Sequence, residues 1–467
     1  MPQTLRKHYL GDWAFYRVML AIAIPLVIQQ GITNLVSLLD NLMVGGLGEI
    51  PLSGVSIVNQ LINVFNLTLF GGLSAASIFG AQFFGVGDWK GMRDTFRFRI
   101  CFGGGITLLA VVVFICWGDA LSLLFLENDN NSTADIAETL SHAMAYLRIA
   151  VWGLIPFMFT QVYAGLLRET GETVHPMIAS VIAILTNLAL NYCLIYGAFF
   201  FPALGAAGAA LATVISRALE AGYVILYTHL NAQKYPFIVG AYASPRIPAA
   251  LCRRIIITGT PLLLNESLWS IGMTAISSNY ASRGLEVVAA SNIASTAWNL
   301  FCVIMFAMGS VVAIMVGREL GLGNLEGARD LDRKLIFFTV ALHILIGAVL
   351  FFAAPFIPLL YDVNSATRDI AAAMLRIQAV VLPVHAFVHV AYFTIRSGGK
   401  TVITFFFDCV YTCCVAATVS YLLCRMTVLP IVACYALVQA TDLVKMVIAV
   451  VLLRSGCWAK NIIGREA

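Results

Sequence analysis

Apolar residues run in blocks along this chain, each block about as long as a membrane-crossing helix and each closed by a short polar or charged connection. A spanning helix needs about 20 apolar residues. Runs of that size fall at roughly 18–44, 53–82, 100–126, 141–166, 175–198, 206–228, 255–281, 288–316, 336–360, 370–395, 402–424 and 431–453. The pattern predicts twelve transmembrane helices, and hence an all-α integral membrane protein. Several runs exceed the minimum, which permits tilting or kinking, and Pro25, Pro156, Pro261 and Pro383 fall inside predicted helices.

The pattern repeats. Pro25 and Pro261, Gly48 and Gly284, Ile57 and Ile293, and Ser74 and Ser310 are each 236 positions apart. So are the loops Gly85-x-Gly87-x-x-x-Gly91-x-Arg93 and Gly321-x-Gly323-x-x-x-Gly327-x-Arg329. Beyond the third helix the offset becomes 228, pairing Arg148 with Arg376, Arg168 with Arg396, Gly171 with Gly399, Thr173 with Thr401 and Arg217 with Lys445. Six helices per repeat is an even number, so both halves enter the membrane from one side and are related by an axis along its normal. The expected organisation is a first lobe over 1–230, a linker over 231–254 with Pro236, Pro245 and Pro248, and a second lobe over 255–467. Two such lobes enclose a cavity, and rocking one against the other would open it alternately to the two sides.

Charge sets the expected orientation. Of the 28 Lys and Arg residues, 21 lie at one set of helix ends, among them Arg6, Lys7, Lys90, Arg93, Arg97, Arg253, Arg329 and Lys400. Only Arg148, Arg283, Arg368, Arg376 and Arg425 lie at the other, and Arg217 and Lys445 fall within helices. The excess of positive charge predicts that both termini are cytoplasmic. The residues are 60% hydrophobic and 11% charged, whereas about a quarter are charged in soluble domains. A net charge of +4 without a basic face argues against a nucleic-acid partner. The 11 cysteines mostly sit in apolar runs without CxxC spacing and read as small buried hydrophobes. The opening segment, Met1 to Trp13, is polar and lacks a small-residue cleavage site, so the first helix is expected to be its own targeting signal.

Against this background, Asp40 stands out. An unpaired charge at bilayer depth costs at least about 2.5–3.5 kcal/mol, so the carboxylate is either wet at the outer end of its helix or protonated, ion-bound and functional. Gln29, Gln30, Thr33, Asn34 and Ser37 favour function, since they form a polar stripe and Thr33, Ser37 and Asp40 follow helical spacing. Pro25 lies earlier in the same predicted helix and removes a backbone hydrogen bond, giving the helix a place to bend. Asn187 and Asn191 are one turn apart, and with Thr213 they either glue helices together or bind a protonated Asp40 or Na+. Glu266 follows Pro261 in the seventh helix and suits a cationic substrate or a proton. His385 and His389, also one turn apart, read as cavity-lining residues or a proton relay; no third ligand or HExxH accompanies them. Arg217 with Glu220, and Asp442 with Lys445, are expected to neutralise one another at i, i+3.

Ser397-Gly-Gly-Lys-Thr401 is not a nucleotide loop, because Thr394 occupies the place of the first glycine of GxxxxGK[ST]. The Asn130 and Asn131 sequons lie in an outer loop.

Pro25 with Asp40-Asn-Leu-Met-Val-Gly45, the paired glycine loops, Leu167-Arg-Glu-Thr-Gly-Glu-Thr173 with Ile395-Arg-Ser-Gly-Gly-Lys-Thr401, and Gly205-Ala-Ala-Gly-Ala-Ala-Leu-Ala-Thr213 together resemble the multidrug and toxic compound extrusion (MATE) family. The resemblance covers nearly the whole chain. It implies a twelve-helix, two-lobe, V-shaped antiporter, not an enzyme, that exports cationic amphiphilic drugs in exchange for H+ or Na+. The family's helix 1 carboxylate falls on Asp40, its helix 5 polar pair on Asn187 and Asn191, and its helix 7 glutamate on Glu266. The Na+-coupled branch also has an acid in helix 10, where this chain has His385 and His389, so H+ is favoured over Na+. The expectation is a monomer in the inner (plasma) membrane, with small organic cations as substrates and no cofactor, nucleotide or metal beyond Na+ at Asp40. The alternatives are a related flippase of a lipid-linked or polysaccharide intermediate, or a membrane-embedded enzyme.

Overall fold

The computed structural model describes residues 9–126, 133–198 and 201–464; within these, the side chains of 36–38, 41–42, 124–126 and 133–135 fall outside the described set. The two sequons, Arg6, Lys7 and Arg465 lie outside it as well.

Twelve helical spans are present among the described residues. They are α1 (Trp13–Gly45), α2 (Glu49–Gly85), α3 (Trp89–Leu126), α4 (Thr133–Ala150 continuing as Leu154–Glu169), α5 (Val174–Tyr196) and α6 (Ala206–Leu230), then α7 (Ala249–Ala281), α8 (Leu285–Phe301 continuing as Val303–Gly321), α9 (Leu325–Ala353), α10 (Ser365–Ser397), α11 (Thr401–Phe405 continuing to Ala417–Met426) and α12 (Ile431–Ser455). The all-α expectation and the count of twelve hold. Eleven of the spans are long and apolar enough to cross a membrane. The exception, α7, carries Arg253, Arg254, Asn265 and Glu266 within its length.

Several helices differ from the apolar runs in ways that have local causes. Helix α3 begins at Trp89, well before its apolar run, because its charged first turns are anchored. Arg93 donates to the carbonyls of Phe237 (3.3 Å) and Pro236 (3.2 Å), and Arg97 to those of Ala241 (2.9 Å) and Gly240 (2.8 Å). Those contacts fold residues 236–246 onto α3, and Tyr235, Phe237, Ile238 and Ala241 are buried. Pro156 is in the first turn after a single 3-10 turn (Val151–Gly153), where a missing N–H is tolerated, so it does not interrupt a helix interior. Pro25, Pro261 and Pro383 do. Helix α9 stops at Ala353, ahead of Pro355, and 357–360 form a separate 3-10 turn.

The repeat extends to backbone geometry. Positive φ recurs at Gly48 (114°) and Gly284 (122°), Gly87 (71°) and Gly323 (73°), and Gly171 (81°) and Gly399 (74°). These are turn positions that L side chains rarely adopt, and they keep the offsets read from the sequence.

The chain forms two compact units. One comprises Met1–Val27, Ala81–Asp88 and Arg254–Ala467; the other comprises Ile28–Gly80 and Trp89–Arg253. The division of α1 falls just after Pro25. In the first unit, Met19, Ile22, Ala23 and Leu26 share a core with Met308 and Val312 of α8, Val390 and Ile395 of α10, and Trp458. Lipid tails are as apolar as these side chains, so close packing stabilises the contact more than exclusion of water does. In the second unit α5 and α6 pack along their lengths. Gly208 makes this possible, since a Cβ there would run into the Leu194 carbonyl oxygen.

Candidate functional site

A chain of polar side chains runs through the second unit. Asp40, half-buried in α1, accepts from Asn191 Nδ2 at 2.6 Å. Asn191 Nδ2 also donates to Asn187 Oδ1 at 3.2 Å, and Asn187 Nδ2 to Thr213 Oγ1 at 3.3 Å. Spacing of i, i+4 places both asparagines on one face of α5, toward α1 and α6. The Thr213 hydroxyl donates to the Ala209 carbonyl of its own helix (3.0 Å). Asn191 is 1% exposed, and its Oδ1 is buried with no hydrogen-bond partner. Such an orphan acceptor is costly unless a proton or cation reaches it.

Of the residues predicted in α1, Thr33 turns its hydroxyl onto the Gln29 carbonyl (2.8 Å), and Asn34 accepts from Gln30 (3.2 Å). The Ser37 side chain lies outside the described residues. Two further groups join the Asp40 cluster. Tyr146 of α4 is buried beside Thr213, Asp40 and Arg217, and its hydroxyl donates to Asn59 (3.4 Å). Arg217 of α6 exerts its field on Asp40 and, as its spacing implied, pairs with Glu220 at 3.0 Å. No local pattern around Tyr146 marks it in the sequence, because its role depends on α4 approaching α6.

The other unit contains its own polar junction. Asp408 of α11 accepts from Lys445 of α12 (2.6 Å, Oδ1) and from Asn265 of α7 (3.1 Å, Oδ2). Asp408 falls in a π-helical stretch, Phe406–Val410, an irregularity common at functional sites. Lys445 also faces the rings of Phe407 and Tyr411. Glu266, next to Asn265, shares a charge environment with Arg396 and Asp408. Asn265 is 1% exposed and donates a second, longer bond to the Tyr392 hydroxyl (3.4 Å).

The expected Asp442–Lys445 pair does not form: Lys445 reaches across to α11, and Asp442 Oδ2 lies 3.0 Å from His385 Nδ1. Spacing within one helix brings the two residues near each other, but a carboxylate on the facing helix offers the lysine better geometry. His385 also stands edge-on to Trp298 (5.0 Å between centroids), whereas His389 packs against Phe306 and Phe393. The two histidines therefore serve different neighbours, and the Nε2 of each is buried without a hydrogen-bond partner. Among the described residues, no three His, Cys, Asp or Glu side chains converge.

The arrangement around Asp40 suits proton binding. A protonated carboxyl can accept from Asn191 Nδ2 through one oxygen and donate through the other, and the orphaned Asn191 Oδ1 is an acceptor on the same amide.

The chain matches the MatE family model in two stretches, 25–193 and 261–422, which begin at the paired prolines Pro25 and Pro261 of the repeat. It is 24% identical over 354 residues to the probable multidrug resistance protein NorM of Thermotoga maritima, covering 75% of this chain and 74% of that one. Among solved structures it resembles a transporter of the MOP superfamily from Pyrococcus furiosus, described as having a binding pocket of reversed polarity that suggests a different function (20% identity, 96% and 97% coverage, TM-score 0.81). It also resembles an outward-facing multidrug resistance MATE family transporter (19% identity, 96% and 97% coverage, TM-score 0.80). A third similar structure is of MATE in the bent conformation (18% identity, 97% of each chain, TM-score 0.82).

Proposed function

The chain belongs to the MatE family of membrane transporters, and we propose that it is a proton-coupled antiporter exporting cationic amphiphilic compounds, as the multidrug resistance name of its Thermotoga maritima relative suggests. The observation that carries this reading is the half-buried Asp40 carboxylate, held by Asn191 at 2.6 Å on a helix that contains Pro25. Proton uptake removes a charge that is costly at bilayer depth and changes what Asp40 offers to α5 and to Arg217. Transport needs that kind of link between an ion and helix geometry.

A single carboxylate among neutral amides favours H+ over Na+, because a proton needs one acidic oxygen whereas hard cations gather several oxygen ligands. The orphaned Asn191 Oδ1 accepts the proton of a neutral Asp40 equally well as it would ligate a cation. Glu266 supplies the negative group for an organic cation in the other unit, since Asp408 is already paired with Lys445. A flippase of anionic lipid-linked intermediates would need uncommitted cations at depth, yet Arg217 is paired with Glu220 and Lys445 with Asp408. The basic helix ends support cytoplasmic termini, with the protein working as a monomer in the inner membrane and without a resident cofactor.

Reconstituted vesicles test this reading. An imposed pH gradient should drive ethidium counter-transport, and Asp40→Asn should abolish it with normal amounts of protein in the bilayer. Transport driven only by a Na+ gradient would overturn the proton assignment, and undiminished transport by Asp40→Asn would overturn the role of Asp40.

A further inference from the structure

Each repeat has a cavity at the helix ends opposite the basic ones, and the two cavities differ in charge. In the first repeat a cavity of about 510 Å³ is bounded by the α1–α2 turn, α4 and the α5–α6 turn. In the second a cavity of about 410 Å³ is bounded by the α7–α8 turn, α10 and the α11–α12 turn. At the offsets read from the sequence, Leu47 corresponds to Arg283, Glu49 to Leu285, Glu138 to Ala366 and His142 to Ile370. The first cavity is thus lined by two carboxylates and a histidine, whereas the second replaces these and gains an arginine. Glu286, which also lines the second, is turned to Asn364 Nδ2 at 3.0 Å, and Asn364 in turn caps α10 through the Thr367 N–H (2.7 Å).

Hydrogen-bond donors converge on this second cavity. Helices α8 and α12 both begin at its wall, with Leu285 and Ile431, and neither is capped by a side chain, since Gly284 and Pro430 precede them. The first N–H groups of a helix have no intrahelical acceptor, and the helix dipole makes that end positive. Arg283 joins them. Its Nη2 donates to the carbonyls of Leu423 (2.9 Å) and Thr427 (2.5 Å), which fixes the guanidinium, and its Nε is buried with no hydrogen-bond partner. A fixed guanidinium with an unused buried donor, beside two uncapped helix starts, is an arrangement that binds an anion. The rim, by contrast, is apolar: Leu285 is 87% and Val428 100% exposed. Exposed apolar side chains around a basic pocket at the end of membrane helices suit a lipid, whose acyl chains cover the rim while its headgroup reaches the charge.

We propose that this cavity binds the phosphate of a phospholipid headgroup, with Arg283 as its cation, the N–H groups that open α8 and α12 as further donors, and Leu285 and Val428 alongside the acyl chains. The first repeat supplies its own anion instead. Glu49 lies in the first turn of α2, where a carboxylate offsets the positive helix end. Leu285 removes that carboxylate from the second repeat, and Arg283 adds a cation where the first has Leu47. The site is independent of the Asp40 reading.

The test is the melting temperature of the full chain purified in a neutral detergent, with three additives compared: dihexanoyl phosphatidylglycerol, dihexanoylglycerol without the phosphate, and inorganic phosphate. A ligand that binds only the folded form raises the melting temperature with its concentration. Phosphatidylglycerol should do so, and the other two should give little shift at the same concentrations. Arg283→Gln should lose most of the phosphatidylglycerol shift. Should that variant fail to fold, because Arg283 also holds two carbonyls, Leu285→Glu decides. It places, at an exposed position, the carboxylate that the first repeat has at Glu49, so the fold should persist and the shift should disappear. Arg425→Gln, which removes a bond to Asn279 (3.2 Å) from a side chain that does not line the cavity, should keep the shift. A shift of wild-type size in Arg283→Gln or Leu285→Glu overturns the proposal, as does an equal shift from dihexanoylglycerol. An equal shift from inorganic phosphate overturns the lipid as its source.

Discussion

Lys445 Nζ lies 2.6 Å from Asp408 Oδ1 on the facing helix, while Asp442, one turn before it on its own helix, is turned to His385. The lysine is thereby committed to α11, and α11 and α12 are joined by a charge pair largely removed from solvent. Removing one member of such a pair typically costs about 3–5 kcal/mol, because the other charge stays buried. Lys445→Met should lower the melting temperature in detergent substantially, and Asp408→Asn combined with it should recover most of the loss. A double variant no more stable than Lys445→Met would show that the pair does not act as a unit.

Asn191→Asp places a second carboxylate where an amide now lies 2.6 Å from Asp40. Like charges at that separation cannot both ionise without a cation between them. The variant should retain a proton to higher pH, so its transport profile should move upward, and its stimulation by Na+ should exceed that of the parent. Vesicle transport at several pH values, with and without Na+, reads both effects.

Gly208→Leu should disrupt the α5–α6 contact, since even a Cβ at 208 would press on the Leu194 carbonyl. Overpacking of this kind costs about 1–3 kcal/mol. The expected result is a lower melting temperature and less folded protein, with Gly222→Leu, where a Cβ meets nothing within 4 Å, close to the parent.

Outside the membrane spans, Glu172 ties down the 231–248 segment. Burial pushes its carboxyl up, but the ammonium of Lys234 (2.8 Å) and the hydroxyl of Tyr235 (3.1 Å) outweigh it and hold the group below its ordinary 4.5. A depressed value stabilises the folded form above the ordinary pKa, and this contribution disappears as pH falls through the depressed value. Residues 233–243 should therefore lose amide protection, beyond the trend of the rest of the chain, as pH falls below the ordinary 4.5 and on through the depressed value. In Glu172→Gln the exchange should already be faster at neutral pH and lack that extra acceleration.

The spans and the repeat were legible because a membrane imposes length and apolarity on every helix, and because paired glycines such as Gly48 and Gly284 answer to the same backbone demand. The Asp40–Asn191–Asn187–Thr213 chain was legible in part: i, i+4 spacing puts the asparagines on one face, and a carboxylate at depth needs a neighbour. What lay beyond reach was pairing between helices. Hydropathy has no term for Lys445 choosing Asp408 over Asp442, for Ser180 bridging Gln29 to Glu220, or for Tyr146 arriving from α4. The charged start of α3 escaped for a related reason, since Arg93 and Arg97 continue the helix by bonding carbonyls of the loop around Phe237 and Ala241, far along the chain.

Gln82 sets an order on how the chain can be completed in the cell. Its amide donates to the carbonyls of Ser397 and Lys460, and its carbonyl accepts from the Ile462 backbone N–H at 2.8 Å, 380 positions later. At about 5–20 residues per second, roughly 20–80 s of synthesis separate the two ends of that last bond. The unit made of Ile28–Gly80 and Trp89–Arg253 can pack while the ribosome is still at work. The Gln82 end of α2 must wait until residues 460–462 have been made, so this part of the first repeat is completed only after α12 has been synthesised.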